Sequence, residues 1–230
     1  MIDTVFSLPL FAIVLTVGTY QFGLWCQKKM RFALCNPILI SALLVIGLLL
    51  ITGVSPETYQ AGTAIFSWLL TPATVCLAVP LYGQLKLLRK NLPAILAGVI
   101  VGTIFGLAAV VVMCLLFSLD KTLTISILPK SITAAMGIVL SGQSGGIESL
   151  TSVAIIMTGI FGNIAGPFVC KLLKLTDPIS QGVAYGTASH VIGTSRAMES
   201  DPVAGAVGSL SLVIAGILTV VIFPMICALL

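Results

Sequence analysis

The single histidine of the chain, His190, lies in the run Tyr185-Gly-Thr-Ala-Ser-His-Val-Ile-Gly-Thr-Ser-Arg-Ala-Met-Glu199. Histidine changes charge near neutral pH, so it can carry a proton or meet an anion. Arg196 offers a two-pronged donor that matches a carboxylate. Thr187, Ser189, Thr194 and Ser195 add hydroxyls that can replace an anion's hydration. On one unbroken helix, Gly186, Ser189, His190, Gly193, Arg196 and Ala197 would share a face. A cytoplasmic loop between membrane helices could hold the same residues with no such role. Glu199, one turn past Arg196, could instead fix that arginine in a structural pair.

A second run, Leu128-Pro129-Lys130-Ser131-Ile132-Thr133, places a lysine inside an apolar stretch with no acidic neighbour in sequence. A half-helix starting after Pro129 would aim free N–H groups and its positive end at a ligand. Lys130, Ser131 and Thr133 would then complete a cradle for a small anion. The alternative is a lysine that reaches the surface along its own stem. The pairing with His190 and Arg196 favours the anion site. His190 is the natural proton-coupling candidate. Glu148 and Glu199 are its rivals, because burial can raise a carboxyl pKa towards neutrality.

Other chemistries fit less well. Ser189 and His190 are adjacent, so on a helix they point apart and make a poor nucleophile and base. Ser131 could serve His190 only if their two elements met, and the chain is read as no enzyme. The six cysteines include no C-x-x-C pair and no histidine at zinc-ligand spacing. They read as small buried hydrophobes, and no metal or cofactor is expected.

The elements that must position these residues are membrane helices. Hydrophobic residues make up 58% of the chain and charged residues 8%, against about 25% charged in soluble domains. The apolar runs are continuous and do not alternate, so the chain is helical and not a barrel. Its basic residues are too few and too scattered for a nucleic-acid partner. Residues 1–25 lack a basic leader and a small-residue cleavage site, and read as a retained first helix.

Spans are expected near 4–25, 37–51, 63–82, 92–118, 149–170 and 203–230. Breaks are expected at Asn36, Pro37, Pro72, Pro129, Gly186 and Gly193. Lys28, Lys29 and Arg31, then Lys86, Arg89 and Lys90, then Lys171 and Lys174 mark cytoplasmic ends. By that parity, 121–148 begins and ends outside. It reads as a re-entrant hairpin with Pro129 near its tip, or less well as one broken crossing. If 185–199 enters from the cytoplasmic face, two polar elements approach from opposite sides, the layout of inverted-repeat transporters. The expected fold is an all-α polytopic membrane protein, one domain over 1–230, with about six spanning helices and two re-entrant or broken polar elements.

Asn36-Pro37, Leu128-Pro129-Lys130-Ser131 and Gly186-Thr187-Ala188-Ser189-His190, continuing through Gly193-Thr194 to Arg196 and Glu199, carry a resemblance. The chain resembles the LrgB/CidB family of antiholin-like and holin-like bacterial membrane proteins, and the C-terminal half of the plant plastid glycolate/glycerate translocator. The resemblance covers nearly the whole chain. It implies a multi-pass inner-membrane protein that works with a small LrgA/CidA-type partner in homo- or hetero-oligomers. It also implies movement of pyruvate, glycolate or related small carboxylates, or control of permeability, murein hydrolases and lysis without a defined substrate site. Two departures flank the first polar run. Ala134-Ala135 replace the family's frequent Thr-Pro, and Glu148 follows Gly145-Gly146-Ile147 where proline is common.

Overall fold

Proline and capping residues set where most helices begin. The computed structural model describes residues 8–30, 37–76 and 78–230. Its helices are α1 (Pro9–Met30), α2 (Pro37–Thr52), α3 (Pro56–Gly62), α4 (Ala64–Cys76), α5 (Ala78–Gly83), α6 (Leu85–Leu116), α7 (Lys121–Ile127), α8 (Ala134–Gln143), α9 (Glu148–Leu172), α10 (Pro178–Ser200) and α11 (Pro202–Leu229). Among the described residues there is no strand. Pro56, Pro178 and Pro202 occupy first turns, where a missing N–H costs nothing. Ser55, Asp120, Asp177 and Asp201 each accept a backbone N–H at a helix start.

Four helices are long and apolar enough to cross a membrane: Pro9–Lys29, α6, α9 and α11. Two shorter apolar helices, α2 and α8, accompany them. The chain is a multi-pass membrane protein, and long stretches of exposed apolar surface along these helices suit contact with lipid. Of the expected third span, 63–82, the described residues form α4 up to Cys76 and α5 from Ala78 to Gly83, and residue 77 lies outside them. Pro72 does not end its helix, since α4 runs through it. Pro37 opens α2, and Asn36 lies outside the described residues.

Two compact units divide the chain, Met1–Leu77 and Ala78–Leu230. In the first, Thr16 and Tyr59 share a hydroxyl hydrogen bond of 2.5 Å, and Thr19 pairs with Ser41 at 2.9 Å. Lys29 stands over the Trp25 ring at the end of α1. The second unit is built around α11. Its core joins Leu88, Ile95 and Val99 of α6 to Val207 and Ala215 of α11, with Val183 of α10 packed against them.

Candidate functional site

Segment 121–143 is a helical hairpin. α7 has seven residues and α8 has ten, so they rise about 10 and 15 Å, well short of a bilayer core of about 30 Å. Ile125 and Leu128 pack with Phe223, near the C-terminal end of α11. The tip then reaches Ala215 and Thr219, which share a cavity with Lys130. α8 returns from Met136, which rests on Gly216, to Ser144 beside Cys227. Lys121 lies near that same cysteine, so the segment leaves on the side it entered. Pro129 sits in the turn, as expected for a breaker.

The run around His190 is a second hairpin. Backbone angles leave the helical region at Ser189 (φ −134°, ψ 18°) and His190 (φ 44°, ψ −136°). The break therefore falls between Gly186 and Gly193 and not at either glycine. The shared face expected of one continuous helix does not form. The first arm follows α11 downwards, with Gly182 against Ala204 and Val207 and Gly186 against Gly208 and Ser211. The second arm climbs back, with Thr194 against Gly208 and Met198 against Gly205. Tyr185 and Ala197, one from each arm, meet in the same buried cluster.

The two hairpins thus enter from opposite ends of α11 and converge near Ala215. Glycines on α9 admit the second tip. A Cβ at Gly159 would stand 2.7 Å from the His190 ring, and one at Gly162 would strike the Ser189 side chain. His190 is buried and its Nε2 lies 2.9 Å from the Ile155 carbonyl oxygen. A carbonyl can only accept, so Nε2 carries the hydrogen and Nδ1 is the free ring nitrogen. Thr194 Oγ1 donates to the His190 carbonyl at 2.8 Å.

A cavity of about 700 Å³ lies between α6, the first hairpin tip, the first arm of α10, and α11. Its walls run from Asn91, Asp177 and Ser180 at one end to Lys130 and Ser131 at the other. Asp177 and Ser180 begin α10, just after Lys171 and Lys174, so the first end is the cytoplasmic one by the positive-inside rule. Lys130 has a weak contact with Ser131 Oγ at 3.4 Å and forms no ion pair among the described residues. Thr103 and Thr187 also line the cavity, and neither Oγ1 has a hydrogen-bond partner. Thr219 lines it too, but donates to its own helix at Ala215 O, 2.7 Å away.

Of the residues singled out in sequence, Lys130, Ser131 and Thr187 come together on this cavity. Ser189, His190 and Thr194 are buried in the second tip, packed against α9 and α11, and do not line it. Thr133 stands at the start of α8 with no side-chain capping bond. Arg196 is held by Glu199 at 2.8 Å on the outer arm, with both side chains partly in the open. Glu148 is exposed in the first turn of α9, beside Gly142. Thr103, Asn91 and Ser180 were not singled out. For Thr103 and Asn91 the signal was the spacing Gly98, Gly102 and Gly106, which puts small residues on one face of α6, whereas Ser180 belongs to the first turn of α10.

The model of the LrgB-like family matches residues 16–229. The holin-like protein CidB of Staphylococcus aureus (strain N315) is 35% identical over 215 residues, covering 94% of each chain. Its counterpart in Staphylococcus epidermidis (strain ATCC 12228) is 34% identical over 212 residues, 92% of this chain and 93% of its own. No solved structure matches. With the family model matching residues 16–229 and relatives 34–35% identical over nearly their full length, the chain belongs to the LrgB-like family.

Proposed function

We propose that the chain is a holin-like membrane protein that controls permeability, and through it murein hydrolase activity and cell lysis. The name carried by relatives over nearly their full length supports this reading. A small LrgA/CidA-type membrane protein is its proposed partner in a homo- or hetero-oligomer.

A second, finer reading is favoured by one observation: the cavity ends on an unpaired ammonium. An unbalanced charge inside apolar walls is costly, and an entering anion would offset that cost. On this reading the permeant species is a small monocarboxylate such as pyruvate or glycolate. Lys130 balances its charge, while the hydroxyls of Ser131, Thr103 and Thr187 replace its water. The walls supply one cation and, at the mouth, the Asp177 carboxylate, so a second negative charge on the substrate would stay unpaired. Were His190 to carry a proton with the anion, Nδ1 would be the ring nitrogen that takes it, since Nε2 is engaged. No step in this scheme makes or breaks a covalent bond in the substrate.

Vesicles carrying the protein, with and without the small partner, separate the two readings. Labelled pyruvate and labelled glycerol are followed together. Passage of both alike, unchanged by Lys130→Gln, supports a nonselective permeability role. Passage of pyruvate alone, falling about 10- to 100-fold in Lys130→Gln, supports the anion site, as expected for loss of one charged hydrogen bond.

A further inference from the structure

Lys130 belongs to two hollows at once. Besides the cytoplasm-facing cavity, it closes the inner end of a groove of about 340 Å³. That groove is walled by Ala109, Val110 and Met113 of α6, by Phe117 at its C-terminal cap and by Ile127 of α7. It runs towards Leu119, next to Asp120, on the side of the membrane opposite Asp177. Gly106 and Lys130 are common to both hollows, so the hairpin tip is the partition between them.

Among the described residues, the cavity's only ammonium is therefore also the groove's only charged group. We infer that the groove is the outward half of one path, which takes the same small carboxylate as the cavity. The hairpin tip Leu128–Ile132 presents Lys130 first to one side and then to the other. This inference rests on the anion-site reading above. Two observations commit the groove to that occupant. One is charge complementarity at its inner end, where a neutral acyl chain would leave the ammonium unpaired. The other is continuity with the cavity through Gly106 and Lys130. The ammonium stays on the cavity side until an anion accompanies it, because an unpaired charge does not cross hydrocarbon unaided, so the resting tip acts as a seal.

The test uses the full chain in vesicles, in a cysteine-free background, with Ala184→Cys for the cavity and Met113→Cys for the groove. Met113 is exposed, so its substitution leaves the packing intact. A membrane-impermeant thiol reagent is applied from each side, with and without pyruvate. Ala184→Cys should react from the cytoplasmic side and Met113→Cys from the outside. Pyruvate at about ten times its Kd should slow both reactions, the protected fractions at the two positions adding to about nine-tenths, because one anion follows Lys130 from one hollow to the other. No outside reaction at Met113→Cys would mean a lipid-filled groove and would overturn the inference. Protection of Ala184→Cys without protection of Met113→Cys would overturn it too, while leaving the anion site standing. Protection at neither position would remove the anion site, and the inference with it.

Discussion

The imidazole Nε2 of His190 donates to the carbonyl oxygen of Ile155 across 2.9 Å, and Ile155 Cδ1 packs at Gly137 on the other hairpin. One residue of α9 thus touches both re-entrant elements. Its backbone holds the second tip, and its side chain fills the gap behind the first. His190 is placed there as a structural donor as well as a titratable group.

That placement sets the response to substitution. His190→Ala and His190→Gly both delete the ring and its bond to Ile155. They differ in backbone strain, because φ of 44° suits glycine and not alanine. His190→Gly should therefore be more stable than His190→Ala by about 1 kcal/mol or more. Thermal unfolding of the two detergent-solubilised variants checks the order.

The unpaired hydroxyls of Thr103 and Thr187 predict a split between stability and selectivity. Replacing a buried orphan hydroxyl with a methyl of similar shape removes a desolvation cost of about 1–3 kcal/mol. Thr103→Val and Thr187→Val should leave the protein as stable as before or more so, while weakening retention of pyruvate. Thr219→Val breaks a made bond to Ala215 O and should lower stability. A thermal shift series with and without pyruvate reads both effects.

Arg196 was expected to grip the substrate. The structure pairs it instead with Glu199 at a partly exposed site away from the cavity. An exposed pair of this kind contributes about 0.2–1 kcal/mol. Arg196→Ala and Glu199→Gln should each leave pyruvate flux near wild type and shift the unfolding midpoint little. A loss of flux as large as that of Lys130→Gln would return Arg196 to the path.

Asp177 caps α10 by accepting from the Ser180 N–H and hydroxyl, both at 2.9 Å. The Ser180 amide first, and its hydroxyl with it, hold the Asp177 carboxyl below its ordinary value. A depressed acid stabilises the fold where it is ionised in both states. The contribution is thus complete above the unfolded pKa of about 4, and is lost as pH falls through the lower folded value. Asp177→Asn keeps an acceptor but no charge, so its unfolding midpoint should lose this acid-side component. Midpoints measured from neutral pH down to about pH 3 test the difference, a window fixed by the ordinary carboxylate range.

Much of this layout was legible in the chain because membrane physics is written in long words. Continuous apolar runs give α6, α9 and α11, and the positions of Lys171 and Lys174 force 121–148 to turn back. Lys130 was legible because a lone lysine among aliphatics is rarely idle. The glycine breaks were not, and Arg196 was legible only as the alternative in which Glu199 pairs with it. A helical wheel drawn through 185–199 assumes one axis, and the reversal at Ser189–His190 sends Arg196 up a separate arm. Thr103 was hidden for another reason. A threonine in a membrane helix ordinarily satisfies itself on the preceding turn, as Thr219 does, and sequence cannot tell which ones refrain.

The single tip that parts the cavity from the groove has an electrical consequence. Where water follows each hollow inwards, most of the membrane voltage must fall across that thin septum and not across the whole bilayer. Lys130 stands in it. A displacement of its ammonium by only a few ångströms would then sample much of the about 2.3 kcal/mol per charge that each 100 mV supplies. The resting potential itself becomes a force on the hairpin tip, and depolarisation of the membrane would be felt there directly.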